Sequence, residues 1–133
     1  MQLIGDLYRD KILTRDDLAQ RDLTLSSDEQ PEISKHLFGW ELRANGDTID
    51  CRSEAEARYL RIFLELGLHE VAVPASDEYL SEILPDLEYL KRRVDEILAE
   101  HLETVFDPRI KAKVRRDVYA EIAKPVADQN IST

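Results

Sequence analysis

The stretch PDLEYLKRRVDEILAEHLETVFDPRIKAKVRRDVYAEI, residues 85–122, decides the fold of this chain. Apolar side chains recur in it every three or four positions, which is the period of an amphipathic helix. Asp107-Pro108 divides the stretch, because Asp is a favoured N-cap and Pro is tolerated at the first helical position. The second helix is expected to extend to about residue 123. Two amphipathic helices with a short connection predict an antiparallel helical hairpin.

The whole predicted hairpin spans residues 76–124, with Ser76 as its N-cap. Pro85 is expected to divide the first arm into a short helix over 77–84 and a long one over 85–105, because proline opens a helix better than it continues one. The long helix carries an apolar seam that steps in alternating fours and threes, as in coiled coils. Its members are Ile83, Leu87, Leu90, Val94, Ile97 and His101, and the seam of the last helix comprises Ile110, Val114, Val118 and Ile122.

Residues 36–51, HLFGWELRANGDTIDC, predict a β-hairpin. Their Asn-Gly pair at 45–46 is typical of a type I′ turn, which needs a positive φ at both central residues. A two-residue turn fixes the register, and the apolar residues then collect on one side of the ribbon. The pairs expected on that side are Leu42 with Ile49 and Trp40 with Cys51.

A helix and a strand are predicted to follow the β-hairpin. The helix SEAEARYLRIFLEL, residues 53–66, begins with a capping box at Ser53, and Gly67 is suited to end it in a left-handed conformation. HEVAVP, residues 69–74, reads as a short strand. Residues 36–74 therefore predict a β-β-α-β unit, in which one helix packs on a three-stranded sheet.

The remaining segments are less regular. Residues 2–21 are predicted to be helical, with Thr14 as the N-cap of a second short helix. Residues 24–35 and 125–133 are expected to be flexible. The predicted fold class is α+β and mostly helical: a small three-stranded β-β-α-β unit packed with a C-terminal antiparallel helical hairpin, in a single domain over 1–133.

The amino-acid composition limits the compartments in which the protein is expected. A chain of 133 residues that is 43% hydrophobic can build a core without disulfides. Its single cysteine, Cys51, cannot form an internal bridge. No apolar run approaches the ~18 residues of a membrane span, and the N-terminal residues lack the pattern of a secretory signal. We therefore expect a cytoplasmic protein that does not enter a membrane.

Patterns typical of catalysis are missing from the sequence. The four glycines are too far apart to form a phosphate-binding loop. His36, His69 and His101 lie in separate predicted elements without metal-ligand spacing, and Cys51 is expected to be an inert packing residue on the inner side of the β-hairpin. We predict no catalytic residue, no cofactor and no metal, and the sequence favours a protein that is not an enzyme.

Charge is unevenly distributed along the chain. The net charge is −10, yet residues 107–133 hold six basic against four acidic residues. Arg109, Lys113 and Arg116 recur at i, i+4 and i+7 and form a basic stripe on the last helix. Two interpretations are open: the stripe contacts phosphates or an acidic partner, or it pairs with acidic residues of the preceding helix, which are Asp95, Glu96, Glu100 and Glu103.

Three classes of function fit these observations. The first is a non-catalytic interaction module that forms a homodimer or docks into a larger assembly through its long C-terminal helices; the candidate interaction residues are the surplus apolar positions Leu84, Leu98, Leu102 and Val105. The alternative is an accessory nucleic-acid contact through the basic stripe, although no aromatic residue is interleaved with it and the net charge opposes it. The third is a small-ligand or enzyme site between the sheet and the hairpin, lined by Trp40, Tyr59 and His69.

Overall fold

The computed structural model describes residues 3–23, 31–44 and 46–131. The helices are α1 (Ile4–Leu7), which continues as a π-helical turn (Tyr8–Ile12), α2 (Glu54–Glu65), α3 (Asp77–His101) and α4 (Pro108–Ile131). The strands are β1 (Leu18–Asp22), β2 (Glu32–His36), β3 (Gly39–Ala44), β4 (Asp47–Cys51) and β5 (Glu70–Pro74). Five strands in two sheets accompany the two long helices, and the predicted α+β fold with a C-terminal helical hairpin is confirmed.

The β3–β4 pair has the predicted register. Leu42 lies opposite Ile49 and Trp40 lies opposite Cys51, and the polar pair Glu41–Asp50 alternates with them. Gly46 has φ +90°, a conformation that the turn requires and that glycine adopts without steric cost.

The third strand of this sheet differs from the prediction. It is β2, which pairs antiparallel with β3 through a tight turn at Leu37-Phe38. The prediction that residues 24–35 form a flexible loop is therefore wrong for residues 32–35, and residues 24–30 lie outside the described part of the chain. Ile33, opposite Leu42 of β3, is the apolar residue of β2, and the other four positions of this short strand are polar.

The predicted strand at the end of the β-β-α-β unit is confirmed as β5, but it belongs to another sheet. β5 pairs antiparallel with β1 in a two-stranded sheet. The prediction of helix over residues 2–21 is wrong beyond Ile12, since residues 18–22 form β1, and Thr14 caps no helix there. Leu, Ala, Gln and Arg favour helices locally, and pairing with β5 overrides that preference.

α2 has the predicted boundaries. The hydroxyl of Ser53 accepts a hydrogen bond from the backbone N–H of Glu56, and Gly67 follows the helix with φ +90°. α2 contacts strands of both sheets and packs along α3, so it joins the two halves of the β-structure.

α3 is continuous, and the predicted division at Pro85 is wrong. Ser76 caps the helix as expected, but the helix runs without interruption to His101. Proline at position 85 removes the hydrogen bond to the carbonyl of Ser81. Both residues lie on the exposed side of α3, where water can bond that carbonyl, while Leu80, Ile83, Leu84 and Leu87 are buried on the other side and hold the helix in place.

α4 begins at Pro108 as predicted, with the carboxylate of Asp107 accepting from the N–H of Arg109. It continues through Pro125 to Ile131, so residues 125–131 are helical, whereas flexibility was expected from residue 125 onward; residues 132 and 133 lie outside the described part. The end of α4 packs on α1 and β5. A Cβ atom at Gly5 would lie 2.8 Å from the Cβ of Pro125, so the two helices approach closely there.

The core joins α1, the π-helical turn, α2, the first half of α3 and the end of α4 with strands β3, β4 and β5. Tyr8 and Tyr59 are fully buried in it and both bond the backbone of Ala72: Tyr59 donates to the carbonyl at 2.7 Å, and the N–H donates to Tyr8 at 3.0 Å. These hydroxyls provide hydrogen-bond partners for the backbone of β5, because the two-stranded sheet has no further strand to do so. No helix in the described ranges is long and apolar enough to cross a membrane.

Candidate functional site

The apolar seam of α3 changes from buried to exposed along the helix. Ile83 and Leu87 are buried, the next two members are half-buried, and Ile97 is 41% exposed. His101, the last seam position, is exposed as well. The second half of the seam is exposed because α2 and the core lie against the first half of α3 only.

Along the seam of α4, exposure changes in the opposite direction: it is highest in the first turn and lower further along the helix. Val114, Val118 and Ile122 are half-buried, whereas Ile110 in the first turn is 51% exposed. Phe106, in the connection between the helices, is 88% exposed. We call Ile97, Phe106 and Ile110 the tip surface, because all three lie within about two helical turns of the connection.

The residues predicted to form an interaction surface lie elsewhere. Leu84 belongs to the main core, and Leu98 and Leu102 are buried near the end of α3, apart from that core. Val105 is half-buried. Three of the four side chains are therefore used by the fold itself, and their exposed neighbours form the tip surface.

The predicted basic stripe does not pair with the acidic end of α3. In the described ranges, no ion pair joins Arg109, Lys113 or Arg116 to a carboxylate of α3. Lys113 instead contacts Asp117 of its own helix at 2.8 Å. At the tip, Glu100 of α3, Glu103 of the connection and Arg109 of α4 are all exposed.

Arg116, one helical turn after Lys113, lines a cleft of about 420 Å³. The cleft separates α4 from the turn between α2 and β5. Twelve residues line it: Glu65, Leu66, Gly67, Leu68, His69, Glu70, Arg116, Tyr119, Ala120, Ala123, Lys124 and Ala127.

Lys91 forms a buried polar network beside this cleft. Its ammonium contacts Glu65 of α2 at 2.9 Å and Asp95 of α3 at 2.9 Å, and Asp95 also accepts from the hydroxyl of Tyr119 on α4. Burial alone would lower the pKa of Lys91, but hydrogen bonds to Asp95 and Glu65 outweigh it and raise the pKa above the ordinary 10.5. Burial and the bond to Asp95 likewise raise the pKa of Tyr119. The lysine is therefore a charged clamp of three helices and is unsuited to act as a nucleophile.

The small-ligand site predicted between sheet and hairpin is not assembled from its three candidates. Tyr59 is a core residue, and Trp40 is half-buried with the Lys35 ammonium 5.6 Å from its ring centre. Only His69 lines the cleft. Its wall on α4 was not predicted, because alanines at helical spacing give no sequence signal for a cavity.

His36, Glu41 and Asp50 come together on the exposed side of the three-stranded sheet, with one ligand atom of each within 4.8 Å of the others. Nδ1 of His36 accepts a hydrogen bond from the N–H of Phe38 at 3.2 Å, so in the neutral ring the proton is on Nε2. Glu41 also pairs with Arg43 at 3.5 Å. His36 and Glu41 therefore have partners within the protein, and we assign no metal to the three groups.

Cys51 is buried on the inner side of β4, as its register predicted. Burial, together with the charge of Glu56, raises the pKa of its thiol from 9.0 to about 11. We expect a disulfide reagent at pH 8 to modify the native protein about a hundredfold more slowly than the protein unfolded in urea, because thiolate is the reactive form. Equal rates in the two states would show that the thiol is accessible and ionised.

No family model, curated protein or solved structure matched this chain in the three comparisons that we made. Its function is therefore inferred from its own residues and their geometry.

Proposed function

We propose that this chain is a non-catalytic interaction module that forms a homodimer through the tip surface of its helical hairpin. The observation that carries the proposal is the exposure of Ile97, Phe106 and Ile110 in and beside the connection between α3 and α4. Large exposed apolar side chains that lie close together are typical of protein interfaces, and aromatic residues are enriched among interface anchors. Phe106, at 88% exposure, is the expected anchor.

The charges around the tip surface favour a second copy of the chain as the partner. The end of α3 exposes Glu100, the residues just after it expose Glu103, and the start of α4 exposes Arg109 and Lys113. Within one chain these acidic and basic groups do not pair across the helices in the described ranges. A two-fold axis at the tip would place the acidic end of one copy on the basic start of the other, twice, as an isologous interface requires.

The alternative, a nucleic-acid contact through the basic stripe, has less support. No aromatic residue is interleaved with the three cations of the stripe, so the stacking contacts typical of single-strand binding are missing from it. The net charge of −10 also opposes association with a polyanion. Salt-dependent binding of DNA by a chain that stays monomeric would reverse this ranking.

We expect sedimentation equilibrium between about 1 µM and 500 µM to show a monomer–dimer equilibrium, a range that brackets the dissociation constants of transient complexes. Phe106→Asp should weaken dimerisation by about 30-fold or more, because it removes the apolar anchor and places a charge in the contact. Phe38→Asp is the matched control, since Phe38 is equally exposed (91%) but lies in the β2–β3 turn. A monomer at every concentration, or equal effects of the two substitutions, would contradict the proposal.

A charge exchange tests the two-fold arrangement itself. Glu100→Arg/Glu103→Arg makes both sides of the contact basic, and Arg109→Glu/Lys113→Glu makes both acidic, so each variant alone is expected to be monomeric. An equimolar mixture restores both attractive contacts and should form a heterodimer. A mixture that remains monomeric while the unsubstituted chain dimerises would show that these charges do not face each other.

A further inference from the structure

The cleft between α4 and the α2–β5 turn is large for a chain of this size. Its volume of about 420 Å³ is within the range of small-molecule sites. The space exists because α4 presents Ala120, Ala123 and Ala127 toward it, while Leu66 and Leu68 close its other side. Its interior is therefore mainly apolar.

The rim of the cleft has a basic wall on α4. Arg116 and Lys124 line it, and neither takes part in an ion pair within the described ranges. On the opposite wall, the carboxylate of Glu65 contacts the buried ammonium of Lys91 at 2.9 Å, which Asp95 shares. Glu70 adds a carboxylate at the β5 end, away from α4. The charges left for a ligand near α4 are thus positive.

We propose that this cleft binds a small amphiphile with a single anionic head group, such as a medium-chain carboxylate. Its head group contacts Arg116, and its chain lies along the alanines beside Leu66 and Leu68, with Lys124 flanking the chain about 12 Å further along α4. Arg116 and Ala127 are about 16 Å apart along the axis of α4, which suits an extended chain rather than a compact ring. A guanidinium at the end of an apolar groove is a strong partner for a carboxylate.

This binding site is independent of the proposed dimer. Ile110 in the tip surface and Ala123 in the cleft are about 20 Å apart along α4. Failure of dimerisation therefore leaves the cleft proposal unaffected, and the two tests use different residues.

The experiment uses dodecanoate below its critical micelle concentration as the probe and amide chemical shifts of the ¹⁵N-labelled chain as the readout. We expect saturable shifts confined to residues 66–70 and 116–127. Dodecanol, which has the same chain without the charge, should bind at least about tenfold more weakly, because one charge-assisted contact is lost. Equal affinity of the alcohol, or shifts centred elsewhere, would overturn the proposal.

Substitutions on the rim test the head-group contact. Arg116→Glu/Lys124→Glu should weaken dodecanoate binding at least about tenfold. Arg92→Glu/Arg115→Glu makes the same change of net charge at exposed positions outside the cleft and should change it less than about twofold. If both pairs weaken binding equally, the probe responds to net charge alone and the assigned head-group site is wrong.

Filling the cleft tests where the alkyl chain of the ligand binds. Ala120→Leu places a larger side chain in the cleft on a helix that tolerates leucine, and it is expected to reduce dodecanoate affinity at least about tenfold. Ala112→Leu is the control, since Ala112 is an exposed alanine of α4 outside the cleft. Unchanged affinity in a folded Ala120→Leu variant would contradict the proposed position of the chain.

Discussion

Glu56→Ala is expected to lower the free energy of unfolding by about 3 kcal/mol, since removing one partner of a buried ion pair leaves the other uncompensated. Glu56 is 1% exposed in the first turn of α2. Its carboxylate accepts from Arg21 at 3.0 Å, from the Arg52 side chain at 2.7 Å and from the Arg52 backbone N–H at 3.2 Å. Both guanidiniums are partly exposed, which places the expected cost at the lower end of the range for buried pairs.

The effect is expected to be large because Glu56 holds two guanidiniums that themselves bridge separate elements of the fold. Arg21 belongs to β1 in the two-stranded sheet and also donates to the carbonyl of Asp50 on β4 of the other sheet. Arg52 donates in turn to the carbonyl of Pro74 at the end of β5 and to Asp77 at the start of α3. Without the carboxylate, two cations remain close together beside the buried start of α2.

Urea unfolding followed by circular dichroism measures this change. Glu54→Ala is the control, because Glu54 is an exposed carboxylate of the same turn and its loss is expected to cost less than about 0.5 kcal/mol. Glu56→Gln should fall between the two, since the amide keeps an acceptor but not the charge. A Glu56→Ala protein as stable as Glu54→Ala would refute the role given to this network.

The sequence predicted elements whose signals are local. The β3–β4 register follows from the Asn-Gly pair and the alternation around it, and Ser53, Gly67, Ser76 and Asp107 mark helix ends through their own side-chain or backbone preferences. In each case, the residues that determine the structure are within a few positions of the structure they determine.

The predictions are wrong where residues that are distant in the sequence determine the local structure. β1 is a strand because β5 lies beside it, about fifty positions later in the chain, and its own residues favour helix. Pro85 and Pro125 remain inside helices because buried leucines, alanine and valine hold the turns around them. The burial of Glu56, which the sequence indicates only as part of a capping box, likewise depends on Arg21.

The candidate sites were predictable only in part. The surplus of apolar positions on α3 and the basic stripe on α4 both predicted contacts near the hairpin, and Arg116 does line the cleft. Which apolar side chains stay exposed depends on where α2 ends against α3. The sequence placed Ile97 on the seam and Leu98 among the surplus positions, whereas the structure exposes Ile97 and buries Leu98. The cleft arises because the side chains that line it on α4 are small, and small side chains produce no periodic pattern in the sequence.

A second buried network supports the hairpin itself. Lys91 is 6% exposed and joins Glu65 of α2 to Asp95 of α3, and Asp95 bonds Tyr119 of α4. The ammonium also lies 4.9 Å from the centre of the Tyr119 ring, a cation–π distance. α4 is thus tied to α3 by groups that act together rather than by a continuous apolar seam.

Lys91→Met should therefore lower the free energy of unfolding by about 3 kcal/mol, because it preserves the side-chain volume and leaves two carboxylates uncompensated. Since the pKa of Lys91 is raised above 10.5, its contribution is complete below that pH and is lost only as the pH rises further, so urea unfolding at pH 7 and pH 9 should give the same difference. Lys91→Met/Glu65→Leu/Asp95→Asn removes the whole charged group and should recover at least half of the loss. If the triple variant is no more stable than Lys91→Met, the lysine acts through packing of its alkyl chain and not as the charged clamp of the three helices.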